Sequence, residues 1–152
     1  IKPNPLSEPS ASFCCTWPLS RTVSTTCASS KRRRIAVCVA RECLRTPPRS
    51  LLLVGSCGLS LLDALIAPFD DVDRARLRIV AYGGVAPRWP RGVEGAQLRG
   101  HRDRIAAWFG PNDGPTPHAI DCGHMDYLER SAARDAVIDA ARTQLPWLRS
   151  ER

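Results

Sequence analysis

The sequence predicts an α/β domain in which helices flank a mostly parallel β-sheet. The 152 residues are 43% apolar and 24% charged, which is typical of one ordinary globular domain. Leu51–Val54 is a continuous apolar run that Gly55 ends, and this pattern favours a strand buried on both faces of a parallel sheet. Strand-like and helix-like segments then alternate to the end of the chain, as they do in α/β folds.

The first part of the chain has a different composition. Ile1–Ser30 is rich in Ser, Thr and Pro and has neither a helical nor a strand period. We therefore expect residues 1–32 to be disordered or foreign sequence, followed by a domain over residues 33–150. Within this domain, Ile35–Leu44 fits a helix or a strand, and its apolar spacing favours a helix that ends before Pro47–Pro48.

The middle of the chain predicts two further elements and a turn. Apolar residues at helical spacing indicate a helix from Gly58 to Ala67, which Pro68 ends. Leu77–Tyr82 predicts a second strand. The Gly83–Gly84 turn and a proline-rich loop follow it.

The last third completes the alternation. Its predicted elements are a short strand over Gln97–Gly100, a helix over Arg104–Phe109, a short strand over Pro117–Asp121 and a helix over Ala132–Leu145. Ser131 is the expected N-cap of that last helix, and Pro146 is expected to end it.

The basic charge lies almost entirely in the first third of the chain. The net charge is +7, and residues 1–50 hold nine basic and two acidic residues, whereas residues 51–152 hold thirteen of each. A basic surface for the whole protein is therefore not indicated. We interpret Lys31–Arg34 as a solvated charge run, because no interleaved aromatic residue or recognition helix accompanies it, and we expect no nucleic-acid partner.

Sequence features also indicate the compartment. No apolar run approaches the roughly 18 residues of a membrane-spanning helix, and no signal peptide is recognisable, so we expect no membrane association. The seven cysteines are odd in number and irregularly spaced, which favours reduced thiols and a cytoplasmic location. Met125 is the only methionine, and we hypothesise that the chain is a fragment.

Three short motifs follow one another in the α/β region. Val54–Leu59 is a small-residue turn after the first strand, Leu98–Asp103 ends in an acid, and Asp121–Leu128 contains Gly123–His124. In this order and spacing, the region from about residue 33 to residue 148 resembles the C-terminal half of an α/β-hydrolase, in which nucleophile, acid and histidine follow one another along the chain.

The resemblance implies hydrolysis of an ester, thioester or related acyl bond in a small-molecule substrate. The implied triad comprises Cys57 or Ser56 as nucleophile, His124 as general base and Asp103 as the acid that orients the imidazole. Asp126 and Tyr127 are interpreted as fixing the turn after His124. His101 and His118 are interpreted as structural or solvated.

Either residue of the Ser56–Cys57 pair fits the nucleophile position of the family pattern in part. The pattern places small residues two positions before and two positions after the nucleophile. Gly55 precedes Cys57 but Leu59 follows it, whereas Ser56 has only the following small residue, Gly58. We favour Cys57, because it lies two residues past the first glycine and because a cysteine here resembles the dienelactone hydrolase branch of the family.

The implied oxyanion hole is incomplete. The resemblance assigns one donor to the amide of Gly58, whereas no glycine-rich loop that would supply the second donor occurs before residue 50. We therefore hypothesise that the truncated chain is inactive on its own. The alternative function is a non-catalytic, degenerate hydrolase-fold binding module.

No cofactor and no metal are implied. Cys57, Cys122 and His124 are conceivable zinc ligands, but no C-x-x-C pair or histidine-rich helix accompanies them. With the early strands of the family missing, one edge of the sheet is expected to be uncovered, and an uncovered edge favours self-association.

Overall fold

The structure is a computed structural model that describes the backbone of residues 28–150 and the side chains of residues 33–150. This part of the chain is an α/β fold, as predicted. Its helices are α1 (Ala28–Arg45), α2 (Gly58–Ile66), α3 (Asp71–Ala75), α4 (Arg104–Phe109) and α5 (Ser131–Arg149). Its strands are β1 (Ser50–Gly55), β2 (Leu77–Tyr82), β3 (Glu94–Gly100) and β4 (His118–Ile120).

The four strands form one sheet in the order β1-β2-β3-β4. Every neighbouring pair is parallel. The predicted mostly parallel sheet is therefore confirmed. Because parallel strands point the same way, the residues that follow β1, β3 and β4 all lie at one edge of the sheet.

Both faces of the sheet are covered. Alternate residues of β2 point to opposite sides, so Leu77, Ile79 and Ala81 pack with the apolar face of α2. On the other side, Val80 packs with Val137 of α5. The sheet is thus the middle layer between helices, and this layer holds the loops at its carboxyl edge in place.

The first strand packs on both faces, with Leu52 and Val54 on one side and Leu51 on the other, but it is only partly buried rather than fully buried as predicted. Within the described chain β1 pairs only with β2, so it is the edge strand of the sheet. Leu53 is 52% exposed. A continuous apolar run identifies a strand, but it does not tell how many neighbours that strand has.

Helix α1 extends beyond the segment predicted for it. Ile35–Leu44 is helical as expected, and the helix begins at Ala28, so residues 28–32 are helical and not disordered as we predicted. The expectation of disorder or foreign sequence for residues 1–27 lies outside the described residues.

Two short features near helix ends were not anticipated. Helix α3, with five residues, is too short to show a helical period, and its signal is the N-cap Asp70, whose carboxylate accepts a hydrogen bond from the N–H of Asp73 at 2.8 Å. At α5, the N-cap is Arg130 rather than Ser131, which is already the first helical residue.

Helix α5 continues through Pro146, which we expected to end it. A proline removes one hydrogen bond of the helix but does not remove contacts made by the residues after it. Arg49 donates to the carbonyl of Trp147, and the guanidinium of Arg78 lies 4.6 Å from the centre of the Trp147 ring. These tertiary contacts hold the last helical turn against the sheet.

Charge, thiols and helix character can be compared with the sequence over the described region. Arg33 and Arg34 of the basic run are exposed on α1, as a solvated charge run requires. The four cysteines of the described region, Cys38, Cys43, Cys57 and Cys122, are free thiols. Among the helices that the structure describes, none has both the length and the apolar character needed to cross a membrane.

Candidate active site

Ser56 occupies the sharp turn between β1 and α2. Its φ of 48° lies in the left-handed region, which costs a non-glycine residue about 1–2 kcal/mol. Both of its backbone groups are hydrogen-bonded: the N–H donates to the carbonyl of Tyr82, and the carbonyl accepts from the N–H of Val85 at 3.0 Å. Neighbouring segments therefore fix the strained conformation, a situation that is common at functional sites.

Gly55 is required by the close approach of β2 to this turn. A Cβ on Gly55 would lie 2.5 Å from Cε2 of Tyr82, which is closer than real contacts allow. The glycine therefore leaves room for the Tyr82 ring beside the turn.

His124 follows β4 and meets the turn of Ser56. Its Nε2 lies 2.9 Å from the Oγ of Ser56. The loop is fixed locally by Asp126, whose Oδ2 accepts from the N–H of Gly123 at 2.9 Å and whose own N–H donates to the Gly123 carbonyl. This arrangement agrees with our interpretation that Asp126 fixes the turn after His124.

Asp103 lies on the other side of His124. It is the N-cap of α4, where its Oδ1 accepts from the N–H of Ala106 at 2.8 Å, and only 1% of the residue is exposed. Both carboxylate oxygens lie 3.0 Å from Nδ1 of His124. Because an ionised carboxylate only accepts, Nδ1 carries the proton of neutral His124 and Nε2 is left to accept the hydroxyl proton of Ser56.

Hydrogen bonds keep the buried Asp103 ionised. Burial opposes its charge and by itself would raise its pKa, but hydrogen bonds from Ala106, His124 and Tyr127, with the positive charge that His124 carries when it is protonated, outweigh burial. The net pKa of Asp103 is therefore lowered. Ser56, His124 and Asp103 form one continuous line of hydrogen bonds with an ionised carboxylate at its end.

Tyr127 contacts Asp103, although we interpreted it from the sequence as a residue that fixes the turn after His124. Instead of fixing only the turn after His124, its hydroxyl donates to Oδ2 of Asp103 at 2.7 Å. It also accepts the N–H of Gly100 at 2.7 Å. Its position three residues after His124 was the available sequence signal, but the sequence does not reveal that the side chain turns toward β3.

Cys57 does not take the place that we favoured for it. The hydrogen bond of His124 goes to Ser56, whereas Cys57 is an exposed residue at the N-cap of α2. Ser56 rather than Cys57 also has the left-handed backbone of the turn. If Ser56 is the nucleophile, the amide that follows it belongs to Cys57, so the oxyanion donor moves there from Gly58.

The remaining candidate residues lie apart from this line. His101 and His118 are exposed on the surface. Cys122 is buried, and burial together with the charges of Asp126 and Asp103 raises its pKa. Over residues 33–150, no three His, Cys, Asp or Glu side chains are grouped as metal ligands would be.

An uncharged groove lies beside the turn of Ser56. It has a volume of about 430 Å³ and is lined by Ser60, Val85, Ala86, Pro87, Trp108, Phe109, Gly110 and Asn112. Val85 connects it to the site, since its N–H donates to Ser56 and its carbonyl accepts from the Ser60 hydroxyl at 2.7 Å. Trp108 is 73% exposed and Phe109 is 60% exposed, which is unusual for large apolar side chains without a partner.

Comparisons with protein-family models, with curated proteins and with solved structures find no match to this chain.

Proposed function

We propose that the protein is a hydrolase of the α/β-hydrolase type that cleaves an ester, thioester or related acyl bond, with Ser56 as the nucleophile. The observation that carries the proposal is the line of hydrogen bonds from Ser56 through His124 to Asp103. It begins at a strained strand-to-helix turn that carries the half-buried hydroxyl of Ser56. The resemblance deduced from the sequence supports the same chemistry.

The proposed reaction has two steps. The Oγ of Ser56 attacks the acyl carbon while its proton passes to Nε2 of His124, and the leaving alcohol or thiol then takes that proton as its bond to the acyl carbon breaks. In the second step His124 removes a proton from water, and the resulting hydroxide attacks the acyl-Ser56 ester. His124 then returns that proton to the Oγ of Ser56 as the bond between Oγ and the acyl carbon breaks, which releases the acid and restores Ser56. The carboxylate of Asp103 stabilises the imidazolium that forms in both steps.

The oxyanion would be stabilised by the first amide of the turn. The N–H groups at the start of a helix have no partner within that helix, and the amide of Cys57 follows Ser56 directly. One donor supports a slower reaction than two, because removing one donor costs about 10²–10³ in rate. We therefore expect weak activity toward activated esters, in place of the inactivity that we hypothesised from the sequence.

The uncharged groove supports an apolar acyl group. Its volume of about 430 Å³ falls within the range of small-molecule sites, and Trp108 and Phe109 supply apolar surface to its wall. A cytoplasmic location is part of the proposal and is supported by the four free thiols of the described region. Self-association through an uncovered edge of the sheet stays a prediction.

Hydrolysis of a short activated ester tests the proposal. We expect a burst of alcohol release that corresponds to one acyl group per Ser56, followed by slow turnover, and we expect His124→Ala to abolish both phases. His118→Ala is the matched control, because it removes an exposed imidazole away from the site. A folded protein that releases alcohol no faster than the His124→Ala variant would be a binding module and not a hydrolase.

A further inference from the structure

Tyr127 links three parts of the candidate site through one oxygen atom. It comes from the loop that also carries His124, its hydroxyl accepts from the N–H of Gly100 at the end of β3, and it donates to Asp103. Only 3% of Tyr127 is exposed. The two hydrogen bonds are therefore shielded from exchange with water.

The direction of the hydroxyl proton follows from these partners. The backbone N–H of Gly100 has only a proton to offer, so it occupies a lone pair of the Tyr127 oxygen. The hydroxyl proton is then directed to Oδ2 of Asp103, 2.7 Å away. Tyr127 is thus a fixed donor to the carboxylate.

The Tyr127 ring is held in a closely fitted space. A Cβ on Gly83, whose φ is 56°, would lie 2.6 Å from Cε2 of Tyr127 and 3.0 Å from Oδ2 of Asp103. The ring of Tyr82 packs on another side, with 5.8 Å between the ring centres. The hydroxyl therefore has little freedom to leave Asp103.

We propose that Tyr127 is the positioning residue that holds the Asp103 carboxylate in the plane required by His124. The proposal rests on the proposed function, since it concerns the same site. The N–H of Ala106 holds Oδ1, and the hydroxyl of Tyr127 holds Oδ2, so the two donors together prevent rotation of the carboxylate. Without Tyr127, only His124 itself would bind Oδ2.

Other ionisable groups around the carboxylate do not replace this contact. Besides His124 and Tyr127, the groups whose charges bear on this region are the buried thiol of Cys122, the carboxylate of Asp126, the phenol of Tyr82 and, on the exposed side, Arg102 and Arg130. Among the described residues, only Ala106, His124 and Tyr127 donate hydrogen bonds to the carboxylate of Asp103.

Tyr127→Phe tests the proposal, because it removes one oxygen and keeps the ring. The Nδ1 proton of His124, bound to a fixed carboxylate, is expected to give a sharp downfield proton resonance in the wild-type protein. This resonance should broaden or move upfield in Tyr127→Phe. Labelling of Ser56 with a fluorophosphonate gives the concentration of active sites. The kcat calculated per active site should fall about tenfold to a hundredfold, with KM unchanged. Tyr82→Phe, which removes a hydroxyl from the neighbouring ring, is the control.

The two readouts separate this proposal from the proposed function. The resonance needs no catalysis, so a wild-type protein without esterase activity contradicts the proposed function and leaves the positioning role testable. An unchanged resonance in folded Tyr127→Phe overturns the positioning role. If that variant does not fold, the wild-type protein decides: a slowly exchanging Tyr127 hydroxyl proton close to the Gly100 N–H supports the proposal, and its absence overturns it.

Discussion

Ser56 and His124 are 68 residues apart in the sequence, and the Oγ of Ser56 lies 2.9 Å from the Nε2 of His124. Strands β1 and β4, which precede them, are not neighbours in the sheet. The contact is possible because both loops leave the carboxyl edge of the same parallel sheet. It connects a strained hydroxyl-bearing turn to an imidazole that Asp103 holds in one tautomer.

Replacing the two adjacent candidate nucleophiles is expected to give opposite results. Ser56→Ala removes the attacking oxygen and should reduce ester hydrolysis to the background rate. Cys57→Ala keeps the backbone amide and removes only an exposed thiol, so most of the activity should remain. Initial rates with a short activated ester measure both variants. Loss of activity in Cys57→Ala with retention in Ser56→Ala would reverse our assignment.

Asp103→Asn is expected to lower kcat strongly without unfolding the protein. The asparagine oxygen still accepts from Ala106, but the amide nitrogen turns a donor toward His124 and favours the wrong tautomer. In a comparable triad this change lowers kcat about 10⁴-fold. Steady-state kinetics measure the effect, and thermal unfolding checks the fold. A decrease of less than about tenfold would show that Asp103 does not orient His124 during the reaction.

The stability of the protein should fall in acid because Asp103 must be protonated. Its pKa is lowered in the folded state, so the unfolded chain binds this proton first as the pH falls. The contribution of Asp103 is therefore present above about pH 4, the ordinary range of an aspartate, and is lost as the pH falls through the folded pKa. Denaturant unfolding between neutral and acidic pH measures this dependence. Asp103→Asn should show a shallower loss, and an identical slope would contradict the assigned shift.

Longer acyl chains should be hydrolysed faster if the uncharged groove binds them. Each buried methylene contributes about 0.8 kcal/mol, which corresponds to roughly fourfold in kcat/KM. Trp108→Ala should reduce this dependence on chain length, because Trp108 forms a wall of the groove. Leu61→Ala is the control, since Leu61 is an exposed apolar residue that does not line it. The same chain-length dependence in Trp108→Ala would exclude the groove as the acyl site.

Local patterns were sufficient to predict much of the fold. Strand β2 covers Leu77–Tyr82 and α4 covers Arg104–Phe109, as predicted, because apolar alternation and the capping Asp103 are local signals. The continuation of α5 past Pro146 depends on Arg49 and Trp147, which are distant in sequence. The exposure of Leu53 depends on the order of the strands. No local pattern contains such information.

The sequence was sufficient to predict which residues lie at the candidate site, but it was not sufficient to predict the role of each one. Asp103 and His124 are 21 positions apart, and they end up together because the segment between them forms one helix and one strand. The choice between Ser56 and Cys57 depends on which of two adjacent residues adopts the left-handed backbone, and small residues on both sides leave that choice open. Likewise, the direction of the Tyr127 side chain depends on the space that Gly83 leaves.

Covalent labelling with a fluorophosphonate tests the central claim most directly. The reagent reacts with an activated serine hydroxyl, with loss of fluoride, and peptide mass spectrometry identifies the modified residue. We expect a single phosphonate on Ser56 in the wild-type protein and none in the His124→Ala variant. Labelling of another residue, or no labelling of a folded wild-type protein, would contradict the claim that Ser56 is a nucleophile activated by His124.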